Sequence, residues 1–145
     1  MDEIRVWIAK SAIAELVVRY AALNDAGDWE TVASLYTEDG RMSRPAAPDS
    51  FIEGRGAILA SFRARPPRAA RHIVANVQVR LEDADRASAT SQILLFTGSV
   101  APGGGLPVLP NTAPHVGTYH DKLLRSLQGW RFVERRGSLD FSIST

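Results

Sequence analysis

The stretch Pro66-Pro67-Arg68-Ala69-Ala70-Arg71-His72-Ile73-Val74-Ala75-Asn76-Val77-Gln78-Val79-Arg80-Leu81 is where the chain changes its period. Two adjacent prolines end a helix, because proline lacks the N–H that closes a helical turn and biases the residue before it toward extended backbone. From Arg71 onward the side chains alternate. Ile73, Ala75, Val77, Val79 and Leu81 fall on one face, and His72, Val74, Asn76 and Gln78 on the other. That is the period of a strand, and it predicts one over 71–81 with His72 and Asn76 on a common face.

Upstream of the prolines the period is helical. Ile13, Leu16, Val17, Tyr20 and Ala21 recur at the spacing of one helix face, within a helix expected from Ile4 to about Asn24. Asn24-Asp25-Ala26-Gly27-Asp28 then offers a glycine to end that helix and an aspartate to cap the next, whose stripe is Trp29, Val32, Ala33 and Tyr36. Thr37-Glu38-Asp39-Gly40 reads as a turn, Arg41 to Arg44 as a short strand, and Arg55 to Ala64 as a third helix.

Downstream, Ala87 to Thr97, Val116 to Arg125 and Trp130 to Phe141 alternate as further strands, the last two joined by the turn Ser126-Leu127-Gln128-Gly129. Helices first and a mainly antiparallel sheet afterwards define an α+β fold. Gly98 to Pro114 holds four glycines and four prolines, too long a stretch for an ordinary connection. It reads either as a flap over a site or as a hairpin tip without a role. Neither a repeat nor a linker is visible, so one domain is expected over residues 1–145.

Composition removes whole classes of function. Apolar residues at 45% and charged residues at 23% match ordinary globular usage, which excludes collagen-like and low-complexity architectures. A net charge of +1 gives no long-range pull toward nucleic acid or anionic membrane. The absence of cysteine removes disulfides, thiolate metal sites and thiol nucleophiles. The N-terminus lacks the pattern of a signal peptide and no window is long and apolar enough to span a bilayer, so a cytoplasmic protein is expected.

Phosphate-cradling and nucleophile-elbow motifs are absent. His115 and His120, five apart, would point to opposite faces of one strand, which argues against a zinc site. Arg63, Arg65, Arg68 and Arg71 could hold an anion, but a solvated helix end is the plainer reading. His72 stands out because it enters an apolar strand, and Asp25 lies just past the apolar stripe of the first helix. A carboxylate there could pair with the imidazole, raise its pKa, fix its tautomer and leave one ring nitrogen free to move a proton. Two plainer alternatives stay open: a structural histidine, and an Asp25 that only caps backbone N–H groups.

Taken in order, Ile13-Ala14-Glu15-Leu16-Val17-Val18-Arg19-Tyr20, Asn24-Asp25-Ala26-Gly27-Asp28-Trp29, Leu35-Tyr36-Thr37-Glu38-Asp39-Gly40, Ile52-Glu53-Gly54-Arg55, Arg71-His72-Ile73-Val74-Ala75-Asn76, Gly117-Thr118-Tyr119-His120-Asp121 and Gly129-Trp130-Arg131-Phe132 resemble the SnoaL-like, scytalone-dehydratase-like members of the nuclear transport factor 2-like superfamily. The resemblance implies a cone-shaped, curved mixed sheet, mainly antiparallel, wrapped around three N-terminal helices and enclosing a deep pocket. It also implies that Asp25 orients His72 as general base, with Tyr119 as a third catalytic group. Asn76, Asn24, Trp29, Tyr20, Phe51 and Phe62 would bind the substrate, and one of Leu95 and Phe96 would join the wall. The tyrosines and second histidine of scytalone dehydratase align here with Asn24, Arg44 and Thr97, so scytalone itself is not implied.

The function expected on this basis is a cofactor-independent lyase of the dehydratase type, or a related isomerase or cyclase, on a small apolar cyclic or aromatic molecule. No metal is expected. A non-catalytic binding protein or an assembly module of the same fold is the alternative. Apolar residues on both strand faces, such as Ile73 with Val74 and Leu123 with Leu124, together with the resemblance, lead to an expected homodimer or other homo-oligomer.

Overall fold

The computed structural model describes residues 1–110 and 112–142. Helix α1 spans Glu3–Ala26, α2 Trp29–Ser34 and α3 Arg55–Arg63, while the strands are β1 Tyr36–Arg44, β2 Ala47–Glu53, β3 Ala69–Leu81, β4 Arg86–Gly98, β5 His115–Ser126 and β6 Gly129–Leu139. They form one curved six-stranded sheet in the order β2-β1-β6-β5-β4-β3. Among the described residues the β1–β6 pair alone is parallel and the other pairs are antiparallel. Among the described residues no helix is long and apolar enough to cross a membrane.

The core lies between the helices and the concave face of the sheet. Ile13, Leu16, Val17 and Tyr20 of α1 pack with Val32, Ile58 and Phe62 of the shorter helices and with Ala87, Ala89, Leu123 and Phe132 of the sheet. On the convex face Ile73, Leu94 and Val116 form a cross-strand row, with Ile73 46% exposed.

The structure differs from the sequence expectation at four places, the first at Tyr36, which opens β1 instead of ending the stripe of α2. Thr37 to Gly40 is not a turn but part of β1, whose register with β6 slips between Tyr36 and Arg41. Gly40 makes the slip feasible, since a Cβ there would lie 3.0 Å from the Phe132 carbonyl oxygen. Ala47–Glu53, unassigned from sequence, is an edge strand, as its proline and polar residues suit. Most consequential is β3, where the register against β4 gains one residue between Ala75 and Gln78 and Asn76 takes φ 52°. This bulge reverses the facing of the strand. His72 and Val74 point inward before it, and Val77, Val79 and Leu81 point inward after it.

Candidate active site

Asp25 occupies the last turn of α1, which Gly27 closes in the left-handed conformation at φ 71°, with N–H bonds from Gly27 to the Asn24 carbonyl and from Asp28 to the Leu23 carbonyl. The capping expected near here belongs to Asp28, which accepts from the Thr31 N–H at 3.3 Å. The Asp25 carboxylate turns instead to β3. Its Oδ2 accepts the His72 backbone N–H at 2.8 Å and its Oδ1 accepts the ring Nδ1–H at 2.6 Å. Both side chains are 7% exposed. Two bonds to one residue fix the position of the strand as well as the rotation of the imidazole.

His72 lines a cavity of about 220 Å³, and its Nε2 makes no hydrogen bond among the described residues. Its pKa differs from the sequence expectation in direction. Burial lowers it below the ordinary 6.5, Asp25 opposes this, and Arg68 and Arg65 add to the lowering. The ring is therefore neutral at neutral pH, with the proton on Nδ1 and a lone pair on Nε2.

Tyr20, Asn24, Phe62 and Tyr119 line the same cavity, as does Leu95, while Phe96 has the opposite strand parity and does not. The Tyr20 hydroxyl lies 2.8 Å from that of Tyr36 and donates weakly to Met42 Sδ at 3.6 Å, so its hydrogen-bonding capacity is largely taken. The Tyr119 hydroxyl has no partner among the described residues. Burial raises the pKa of both phenols, Tyr20 to about 12, which keeps them protonated and able to donate. Beneath them Asp121 holds Arg135 in a buried two-pronged pair at 3.0 and 3.2 Å. The guanidinium carbon sits 4.0 Å from the Tyr119 ring centroid and 4.3 Å from that of Tyr20, so a charged floor fixes both rings from below.

Three expected binding residues lie elsewhere. Asn76 sits in the bulge, exposed, and donates through Nδ2 to Gln92 Oε1 at 2.6 Å; the reversal of strand facing removes it from the cavity. Phe51 lies on β2 under the Arg41 guanidinium at 4.1 Å, because β2 is the far edge of the sheet. Trp29 stands behind the wall, stacked on Phe62 at 5.3 Å with planes 3° apart. No described residue from 98 to 114 lines the cavity; Ser99 and Val108 pair through two backbone bonds of 3.0 Å, and Asn111 of that stretch is outside the described residues.

Sequence reasoning did not place Arg65, Arg68 and His115 at the cavity, yet all three line it, beside Arg44 and Thr97, which the resemblance aligned with site positions. For His115 the signal was parity, four residues before Tyr119 on one strand. For Arg65 and Arg68 it was the basic cluster itself, of which Arg63 instead pairs with Glu30 at 2.6 Å. His120 faces away from the cavity, as the spacing argument requires, and among the described residues no cluster of three metal-ligating side chains occurs.

An α+β domain whose helices and curved sheet enclose one largely apolar cavity, with an Asp–His contact in its wall, has the architecture of the nuclear transport factor 2-like class. The chain belongs to the SnoaL-like domain family, whose model matches residues 7–136. An NTF2-like protein with a cystatin-like fold from Novosphingobium aromaticivorans is 27% identical, with a TM-score of 0.74 over 96% of this chain and 87% of that one. A protein of the same organism provisionally named scytalone dehydratase is 19% identical, with a TM-score of 0.80 over 97% and 89%. A hexachlorocyclohexane dehydrochlorinase is 15% identical, with a TM-score of 0.80 over 99% and 94%. Among curated proteins none matches this chain.

Proposed function

We propose that the protein is a lyase, or an isomerase of related mechanism, in which His72 abstracts a proton from carbon. The observation that carries this reading is an imidazole whose Nδ1 is fixed on Asp25 at 2.6 Å and whose other nitrogen has no partner among the described residues, in the wall of a largely apolar cavity. A base serves best when it is unprotonated at the working pH, oriented, and shielded from water. The names of two fold relatives, a dehydratase and a dehydrochlorinase, agree with an elimination.

In the step itself Nε2 takes the proton and the C–H electron pair forms a new double bond. The pair of the breaking bond leaves with hydroxide or halide. Asp25 stabilises the resulting imidazolium through the Nδ1–H bond it already holds. Tyr119 donates its free hydroxyl to the atom that gains negative charge, and His72 then returns its proton to the departing hydroxide, releases it to water where a halide leaves, or, in an isomerisation, passes it to a second carbon.

The test uses the base-promoted ring opening of 5-nitrobenzisoxazole, a C–H abstraction that needs no knowledge of the natural substrate. His72→Ala is expected to lose on the order of 10²-fold or more of the enzymatic rate. Equal rates in wild type and His72→Ala, with both folded, refute the reading.

A further inference from the structure

Three guanidinium groups meet at the cavity without an acidic partner. Arg44 and Arg65 are half-buried and Arg68 is exposed at the rim, and all three line the space that His72 faces. Among the described residues none of them forms a salt bridge, whereas the fully buried Arg135 is held by Asp121 and Arg63 of the same basic stretch by Glu30. Arg65 donates to Asn24 Oδ1 at 3.2 Å and otherwise lies over the Phe62 ring at 4.9 Å. Arg44 donates through Nη2 to the carbonyl and hydroxyl of Ser61 at 3.3 and 3.0 Å, and its Nε is buried with no partner among the described residues.

This arrangement costs free energy. Burial, together with Arg44 and Arg68, pulls the Arg65 pKa down to about 10, so the three charges oppose one another. The buried, unpaired Nε of Arg44 adds a desolvation cost of its own. The opposition of charges is relieved if an anion enters, because guanidinium groups satisfy their free donors and their charge on one oxyanion. The remainder of the wall includes Ile93, Leu95 and Leu139, which suits an apolar body with a single charged end.

We propose that the cavity takes a small apolar carboxylate, its carboxyl group held by Arg65 and Arg68 with Arg44 beside them and its hydrocarbon body against Ile93 and Leu95. This rests on the proton-transfer reading of the same cavity and names the class of molecule on which it operates. The planar fork of a guanidinium matches a carboxylate, which one such fork can satisfy bidentately.

The experiment is isothermal titration of benzoate, cyclohexanecarboxylate and 2-naphthoate, each against its own carboxamide, which keeps the shape and removes the charge. In wild type at least one carboxylate is expected to bind about tenfold or more tightly than its amide, as a charge-assisted hydrogen bond predicts. Arg65→Gln and the exposed Arg68→Gln are both expected to shrink that preference, the second keeping the test valid should Arg65→Gln not fold. His72→Asn is expected to keep it. The proposal is overturned if no carboxylate outbinds its amide in wild type, or if the preference survives in both arginine variants. Loss of the preference in a folded His72→Asn also overturns it, since the anion would then belong to the imidazole. Turnover of 5-nitrobenzisoxazole plays no part in these arms, so failure of the anion site and failure of the His72 mechanism are read separately.

Discussion

Acidification separates His72 from the other titrating groups, because the sign of its effect depends on which interaction dominates the ring. Burial, with Arg68 and Arg65, holds its pKa in the folded chain below the ordinary 6.5 although Asp25 pulls the other way. The unfolded chain therefore binds a proton as pH falls through about 6.5, while the folded chain does not until lower pH, and stability is lost across that interval. Above about 6.5 the effect is nil, and below the folded pKa it levels off. One proton limits the slope to about 1.4 kcal/mol per pH unit, so the loss at about pH 5 is at most about 2 kcal/mol. Urea unfolding of wild type and His72→Asn between about pH 7.5 and pH 5 measures it, because asparagine can still donate to Asp25 but does not titrate. The carboxylates common to both proteins cancel in the difference. Wild type is expected to lose stability relative to the variant on acidification. If it gains instead, the imidazolium–carboxylate pair outweighs burial, and if the difference is flat the environment leaves the ring unshifted; either result refutes the reasoning.

Tyr119→Phe should keep the far-ultraviolet circular dichroism of the wild type and lose about 10²-fold in turnover of 5-nitrobenzisoxazole, the usual effect of removing one donor to developing charge; an unchanged rate removes Tyr119 from the mechanism. Asp121→Asn leaves Arg135 buried with its counter-charge gone and should destabilise the fold by about 3–5 kcal/mol in thermal or urea denaturation, whereas a loss under about 1 kcal/mol would show that the three rings around Arg135 suffice. Asn76→Gly should change stability by no more than about 1 kcal/mol and leave turnover intact, since glycine accepts φ 52° freely and the side chain lies outside the cavity; a tenfold drop in rate would put Asn76 back into the site.

The helices were legible because their information is local. The stripe of α1 and the Gly27 stop lie within a few residues of the contacts they make, and the structure follows them closely. Strands β3 to β6 were legible as strands but not as faces. One extra residue at Asn76 reverses a strand, and only the pairing with β4 fixes where that residue goes. A strict alternation put His72 opposite Val77, Val79 and Leu81, whereas the bulge brings them all to the concave side. Asp25 and His72 stand 47 positions apart and meet only because α1 packs on β3. Neither local sequence encodes that meeting, so the residues offered the pair only as one open alternative, and the resemblance is what favoured it. The arginine cluster was visible but misread as solvated, because its spacing does not say that Arg65 folds back over Phe62 while Arg63 turns out to Glu30.

The two features that the sequence could not join, a depressed histidine and unpaired arginines, are coupled by charge. Arg68 and Arg65 are among the causes that lower the His72 pKa, so a ligand carboxylate seated on them cancels part of that lowering. Ligand entry also removes water, which would lower the pKa further. The His72 side chain is already only 7% exposed, however, so little desolvation is left to add. The electrostatic term wins, and the His72 pKa should rise when an apolar carboxylate binds. NMR titration of the histidine ring protons, assigned by substitution and run with and without saturating 2-naphthoate, measures this directly. An unchanged or lowered His72 pKa in a complex whose affinity depends on Arg65 and Arg68 would show that the arginines hold the ligand without addressing the base. A rise gives the site a base that stays neutral while the cavity is empty and gains basicity, hence proton-abstracting power, once an anionic substrate is seated.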